Sequence, residues 1–407
     1  VNQAAGTQIP VGTNSGRTEG PIQSPSHDFV GNQTYTSELI VVTTNGCIAS
    51  TQRQVSSQGL VVVPEEGILN EFDNVFDAGW SPEPNNPVNS WVLSNGHDYP
   101  ENNNMWWTGA DGGTYYDLED SYISSPCYDL NALTKPMVHF DLFYDAQESQ
   151  DGLVLQYSID GTTWENIGSN DFGIEWFNET GIAARPGDAP NNSNASGSGW
   201  TGQSTGLVNA RFNLNQIPQG NRNKVQFRMA FASDGGLSEG SAGFDNFFIG
   251  NKEREVLLES FIDDAVADAT FASQSTQTVR ESQITNGAGY TDAIVLEYHV
   301  NVVEPADDYY SFNPDDSRMR QAFYGVNQVP SIYMDGMFYT DSSMVQQDTI
   351  ALDVRGLTDP EFDIQITPVN NAEPDIIRFE ITVEALQDMT NVPLQLNVAM
   401  IENISGG

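Results

Sequence analysis

Basic residues are scarce: 407 residues hold 15 Lys and Arg against 56 Asp and Glu, a formal charge of −41. Only Arg17, Arg53, Lys135 and Arg185 are basic in the first 200 positions. Binding to nucleic acid or another polyphosphate needs a basic face that releases counterions, so the composition disfavours both. An acidic surface instead keeps the chain soluble by self-repulsion and offers oxygen ligands to hard cations such as Ca2+. Saline surroundings would account for the same charge.

Cysteine is nearly absent. Cys47 and Cys127 are the two present, which excludes a disulfide framework and leaves room for at most one bridge. Apolar runs are short, as at residues 39–42 and 60–63, far from the roughly 18 residues that span a bilayer. Histidine occurs four times, at His27, His97, His139 and His299, and no His-Glu-x-x-His pair exists to hold catalytic zinc. Gly-x-Ser-x-Gly elbows and P-loops are missing as well, so nucleophilic and phosphoryl-transfer chemistry have no foothold. Carboxylates are too numerous for any pair to mark a glycosidase without a cleft to frame it. The expectation is a protein that is not an enzyme.

What is present argues for folded β-structure. Hydrophobic residues make up 38% of the chain, seven are Trp, and strand-like runs recur throughout. The length predicts two to four domains, at about 100 to 200 residues each. Val1 is preceded by no Met, basic n-region or apolar h-region, so the chain is expected to begin inside a longer protein or after a removed signal.

Residues 36–44 are β-branched and apolar, Asn45-Gly46 is a turn signal, and residues 52–63 resume as strand, which predicts a hairpin. Residues 64–251 carry all the Trp, short strands and frequent Gly, Asn and Pro turns, so a β-sandwich is expected there. From Arg254 the pattern becomes α/β, with strands at 256–262 and 293–300 and helices at 265–283 and 318–324. Residues 362–366, 377–383 and 394–400 alternate again and predict strands of a further sandwich that stops at Gly407 with too few strands to close.

Four resemblances follow these segments. Pro25-Ser26-His27, Tyr35-Thr36, Thr44-Asn45-Gly46-Cys47 and the Val61 to Val63 run resemble the end of a PKD, immunoglobulin-like domain over residues 1–63. Residues 64–251 resemble the MAM-like jelly rolls of secreted Bacteroidetes proteins, many of them type IX cargo. The matching residues are Ser124-Ser125-Pro126-Cys127-Tyr128-Asp129-Leu130 with 138–144 as its neighbour, Asp151-Gly152, Asp160-Gly161-Thr162-Thr163-Trp164, Trp200-Thr201-Gly202 and Gly243-Phe244-Asp245-Asn246. Residues 252–357, through Val329-Pro330-Ser331-Ile332-Tyr333-Met334-Asp335-Gly336, are similar to thioredoxin folds, and especially to the Omp28-related outer-membrane family. That resemblance implies a cis-proline at Pro330. It departs at the decisive place: residues 262–268 stand where Cys-x-x-Cys should follow the first strand, so the module is redox-dead. Residues 358–407 look like the start of a sandwich.

The resemblances imply a surface or extracellular adhesin, filament component or binding protein with glycan or protein ligands, and with other copies or surface subunits as partners. The alternatives are the non-catalytic tail of a cytophagalysin-like metalloprotease and an Omp28-like subunit of an outer-membrane complex. Jelly rolls of this kind often tie first and last strands with calcium, and the resemblance implies Asp245 as the leading ligand with Glu71, Asp73, Glu148 and Asp151 as companions; a solvated acidic loop is the competing reading, since no EF-hand spacing is present. Trp106, Trp107, Tyr115 and Tyr116, beside Asp111-Gly112-Gly113, are the candidate aromatic contact surface, and core packing is the competing use of the same rings. Asp348-Thr349-Ile350 matches the Bacteroidetes O-glycosylation pattern, with Thr349 as acceptor.

Overall fold

A computed structural model describes residues 33–42, 48–57, 59–73, 79–83, 86–94, 104–109, 113–170, 172–189, 191–236, 240–263, 293–302, 309–329, 331–339, 347–369, 378–389, 396 and 398. The chain is mainly β and is arranged in several sheets.

Strands β1 (Gln33–Val42) and β2 (Ile48–Ser57) pair antiparallel, with Val42 opposite Ile48, as the Asn45-Gly46 signal predicts. Residues 61–63, expected to continue that second strand, do otherwise. Here β3 (Val61–Val62) runs parallel to a sandwich strand, and Val63 is sealed in the sandwich core.

The sandwich strands that follow are β4 (Ile68–Asn70), β5 (Ser81–Pro82), β6 (Trp91–Ser94), β7 (Met105–Thr108), β8 (Asp120–Asp129) and β9 (Pro136–Tyr144). They continue with β10 (Gly152–Ser158), β11 (Glu165–Asn166), β12 (Val208–Asn213), β13 (Val225–Ala232) and β14 (Ala242–Asn251). One sheet is ordered β11-β10-β13-β8-β3 with β5 also on β8, and the other is β12-β9-β14-β7-β6 with β4 on β14. Strands β8 and β9 therefore belong to opposite sheets and are not neighbours, because the turn after Leu130 carries the chain across the sandwich. Period-two alternation sends Phe140, Leu142, Phe227 and Phe231 inward, and the bulge between Asp245 and Phe248 brings both Phe244 and Phe247 to the same core, where aromatic rings meet edge-on or stacked, as Phe72 does on Phe244 at 5.5 Å.

The outer face of the first sheet is partly sealed. Arg228 is buried between the Tyr122 and Trp164 rings, 4.9 and 4.4 Å from their centroids. It donates to Gln156 Oε1 at 2.7 Å and to the carbonyls of Gly187 and Ala189, which strap residues 185–194 over it.

The next unit contains β15 (Val256–Ile262), β16 (Ala293–His299), α1 (Pro314–Tyr324), β17 (Ser331–Met334), β18 (Met337–Tyr339) and α2 (Gln347–Gly356). Its sheet order is β16-β15-β17-β18, with β15 parallel to β16 and antiparallel to β17. Helix α1 begins four residues before the expected 318 because Asn313 caps it and Pro314 opens it. Buried Glu259 on β15 holds α1 through Arg320, at 2.7 and 2.8 Å. The helix expected at 265–283 and the cis-proline expected at Pro330 lie outside the described residues. A further hairpin pairs β19 (Phe362–Val369) with β20 (Arg378–Ala385), Ile364 opposite Val383, and the strand expected at 394–400 lies largely outside the described residues.

Candidate functional site

The aromatic candidates divide by strand parity. Trp106 points into the core beside Phe72 at 6.5 Å, while Trp107 packs on Phe143 at 5.4 Å on the other face of the same sheet. Their exposures of 8% and 2%, with 1% for Tyr115, correct the expectation that they form a contact surface. Only Tyr116 keeps 41% of its surface.

Sequence reasoning missed the neighbour that completes this exposed patch. Leu118 is 71% exposed and sits at φ +54°, in the left-handed region that costs a branched side chain about 1 kcal/mol or more. Glu119, buried beneath it, explains how that conformation persists. Its carboxylate accepts from Ser90 N at 2.8 Å, Ser90 Oγ at 2.7 Å, Ser121 Oγ at 2.5 Å and Tyr116 N at 3.1 Å. Ser233 Oγ donates to Tyr116 O at 2.6 Å, and Leu118 N donates to Asp234 O at 2.8 Å. Ser121, two positions after Glu119, is a local sequence trace of this hub, whereas Ser90 is brought to it by the fold from 29 positions away.

Tyr115 is a support of the same loop. Its hydroxyl donates to Asp151 Oδ2 at 2.8 Å, and Asp234 N donates to Asp151 Oδ1 at 2.7 Å. Burial, the largest cause, pushes the Asp151 carboxyl above the usual aspartate range, against these two hydrogen bonds. Each carboxylate oxygen of Asp151 thus accepts from one protein donor.

The remaining carboxylates also divide. Asp245 faces Asp141 across β14 and β9, next to a bulge where Asn246 adopts φ +50°. Burial first, then the charges of Asp141, Asp73 and Glu71, push Asp245 up to about 7. Asp141 accepts from Asn209 and Asn246, each at 2.8 Å. Glu148 is exposed and lies near Gly202. Among the described residues no three acidic, His or Cys side chains converge as a metal site, so the five-carboxylate set is not assembled. Cys127 is a free thiol, and Cys47 lies outside the described residues. Thr349 falls in the first turn of α2.

A shallow cleft of about 400 Å³ lies where β12 meets residues 358–359, but its polar walls, Arg211 and Asp359, already bond to each other at 2.6 and 2.9 Å. No helix among the described residues is long and apolar enough to cross a membrane.

No protein-family model and no curated protein matches the chain. Among solved structures it is similar to the K1 cleaved adhesin domain of Lys-gingipain from Porphyromonas gingivalis W83, at 16% identity over 46% of this chain and 99% of that one, TM-score 0.27. It is also similar to Caldicellulosiruptor saccharolyticus CBM27-1 in complex with mannohexaose, at 17% identity over 46% and 97%, TM-score 0.29.

Proposed function

We propose that this chain is a non-catalytic binding protein of the cell surface or extracellular space, an adhesin whose sandwich contacts a glycan or protein ligand through the loop of residues 113–119. The observation that supports it is the pairing of a strained, exposed Leu118 with half-exposed Tyr116 on a loop fastened by Glu119, Ser233 and Asp151. Preorganised apolar side chains lose little entropy on binding, which is where contact affinity is gained. The acidic composition and the lack of catalytic motifs favour binding over chemistry.

We read residues 252–357 as a thioredoxin-like module, supported by the parallel β15–β16 pair followed by antiparallel β17 and β18, and redox-dead because neither cysteine falls within it. Calcium enters this reading only through Glu71, Asp73 and Asp245, which share one electrostatic neighbourhood. Equal melting of residues 64–251 in calcium and in chelator would remove it.

The test is a glycan array and a surface-protein overlay with the whole chain, repeated with Tyr116→Ala/Leu118→Ser. Binding is expected to fall at least about tenfold, or ~1.4 kcal/mol, without a loss of melting temperature. A double variant that binds like the parent would sink the assignment.

A further inference from the structure

Five of the chain's 15 Lys and Arg residues meet at one place. The sandwich ends with β14, and residues 252–255 lead to β15; α2 ends at Gly356, and residues 357–361 lead to β19. These two connections are where hinges belong, and they are fastened to each other. Arg254 of the first donates to Asp359 O of the second at 2.9 Å and pairs with Glu361. It also reaches Asp335, in the β17–β18 turn, at 3.2 Å, where Arg355 of α2 binds the same oxygen at 2.7 Å.

The sandwich grips the joint from its own side. Arg211 on β12 holds Asp359 with two parallel bonds, at 2.6 and 2.9 Å, and donates to Leu357 O at 3.0 Å. Asn213, on the same strand, donates to Asp353 of α2, whose other oxygen lies 3.3 Å from buried Lys252. Lys135, before β9, reaches Glu255 at 3.0 Å, and Lys252 N donates to Lys135 O. Five cations thus oppose five carboxylates, Glu255, Asp335, Asp353, Asp359 and Glu361.

Modules joined by short linkers move relative to one another unless their interface is substantial. In a chain of −41 the like charge of the modules adds a force that opens such a hinge. A planar guanidinium bound bidentately fixes angle as well as distance, and partly buried ion pairs serve orientation better than stability.

We propose that this ionic joint locks the sandwich, the α/β unit and the base of the β19–β20 hairpin into one rigid body, a stiff spacer rather than beads on a string. The joint stands independently of the ligand assigned to the 113–119 loop.

Trypsin reports on it directly, because Lys252, Arg254 and Arg355 lie in or beside the two connections. The full chain is digested and its small-angle scattering recorded beside Asp359→Asn/Glu361→Gln, which removes two of the opposing charges from one exposed and one half-exposed side chain. Cleavage after Lys252 and Arg254 is expected to be slow in the parent. It should rise roughly tenfold in the variant, with a larger radius of gyration and an unchanged melting temperature of the sandwich. Parent bonds cut as fast as in the denatured chain, or a variant identical to the parent in cleavage and scattering, would overturn the joint.

Discussion

Replacing Asp245 with Asn should stabilise the sandwich above pH 7 and leave it little changed near pH 4. The carboxyl is pushed up to about 7 from an ordinary 3.8, so the folded state holds its proton more tightly than the unfolded chain does. Stability linked to this group is therefore present below the unfolded value and is lost as pH rises through about 7. A displacement of about three pH units corresponds to roughly 4 kcal/mol. Solvent around the exposed Glu71 and Asp73 screens part of that repulsion, which leaves about 2 kcal/mol. For a sandwich of this size such a change moves the melting temperature by about 4 to 8 °C. Asparagine preserves the shape and the oxygen that accepts from Asn246 N at 2.8 Å. The assay is thermal unfolding of parent and variant from pH 4 to 8.5 in chelator, read as the difference between them, so that other carboxylates cancel. A difference that does not grow between pH 5 and pH 8, or a variant less stable at pH 8, would refute the reasoning.

Leu118→Gly relieves the left-handed strain and should stabilise the sandwich by about 1 kcal/mol, a rise of about 2 to 4 °C in melting temperature, while weakening ligand binding; a calorimetric scan beside a binding isotherm separates the two. Trp106→Ala opens a cavity against Phe72 and should cost about 3 to 5 kcal/mol in sandwich stability by urea unfolding. Glu259→Gln leaves Arg320 short of its counter-charge and should destabilise the α/β unit by about 3 to 5 kcal/mol, again read in urea.

The hairpin, the sandwich and the α/β strands were legible because each is written in local signals. Asn45-Gly46 marks the first turn, and residues 256–262 read as a buried strand and form one. Sheet membership was not legible, since β8 and β9 alternate alike and only the crossing after Leu130 separates them. Strand residues 61–63 were misassigned for a similar reason: a run of Val says strand, but not which sheet takes it. At the candidate site Tyr116 was found and Leu118 was not, because exposure of a leucine depends on a backbone angle that no composition rule reports. Of the calcium candidates, Glu71, Asp73 and Asp245 share one electrostatic neighbourhood, a grouping in space that spacing along the chain does not report.

The placement of the cations limits what the binding surface can recognise. Arg228 is consumed under its strap, Arg320 by Glu259, and Lys135, Arg211, Lys252, Arg254 and Arg355 by the joint. Among the described residues beside Tyr116 and Leu118, Asp117 and Asp234 are acidic and accessible, while Glu119 and Asp151 are buried and hydrogen-bonded within the protein. On the proposed contact surface a partner would gain from apolar contact with Tyr116 and Leu118, and from hydroxyl or ammonium donors offered to Asp117 and Asp234. Affinity measured between about 50 and 500 mM salt distinguishes the two permitted partners, because screening weakens attraction between opposite charges and leaves neutral contacts alone. Constant affinity identifies a neutral glycan, and falling affinity a basic protein. Affinity that rises with salt would mean an acidic partner held against repulsion, and the charge argument would fail.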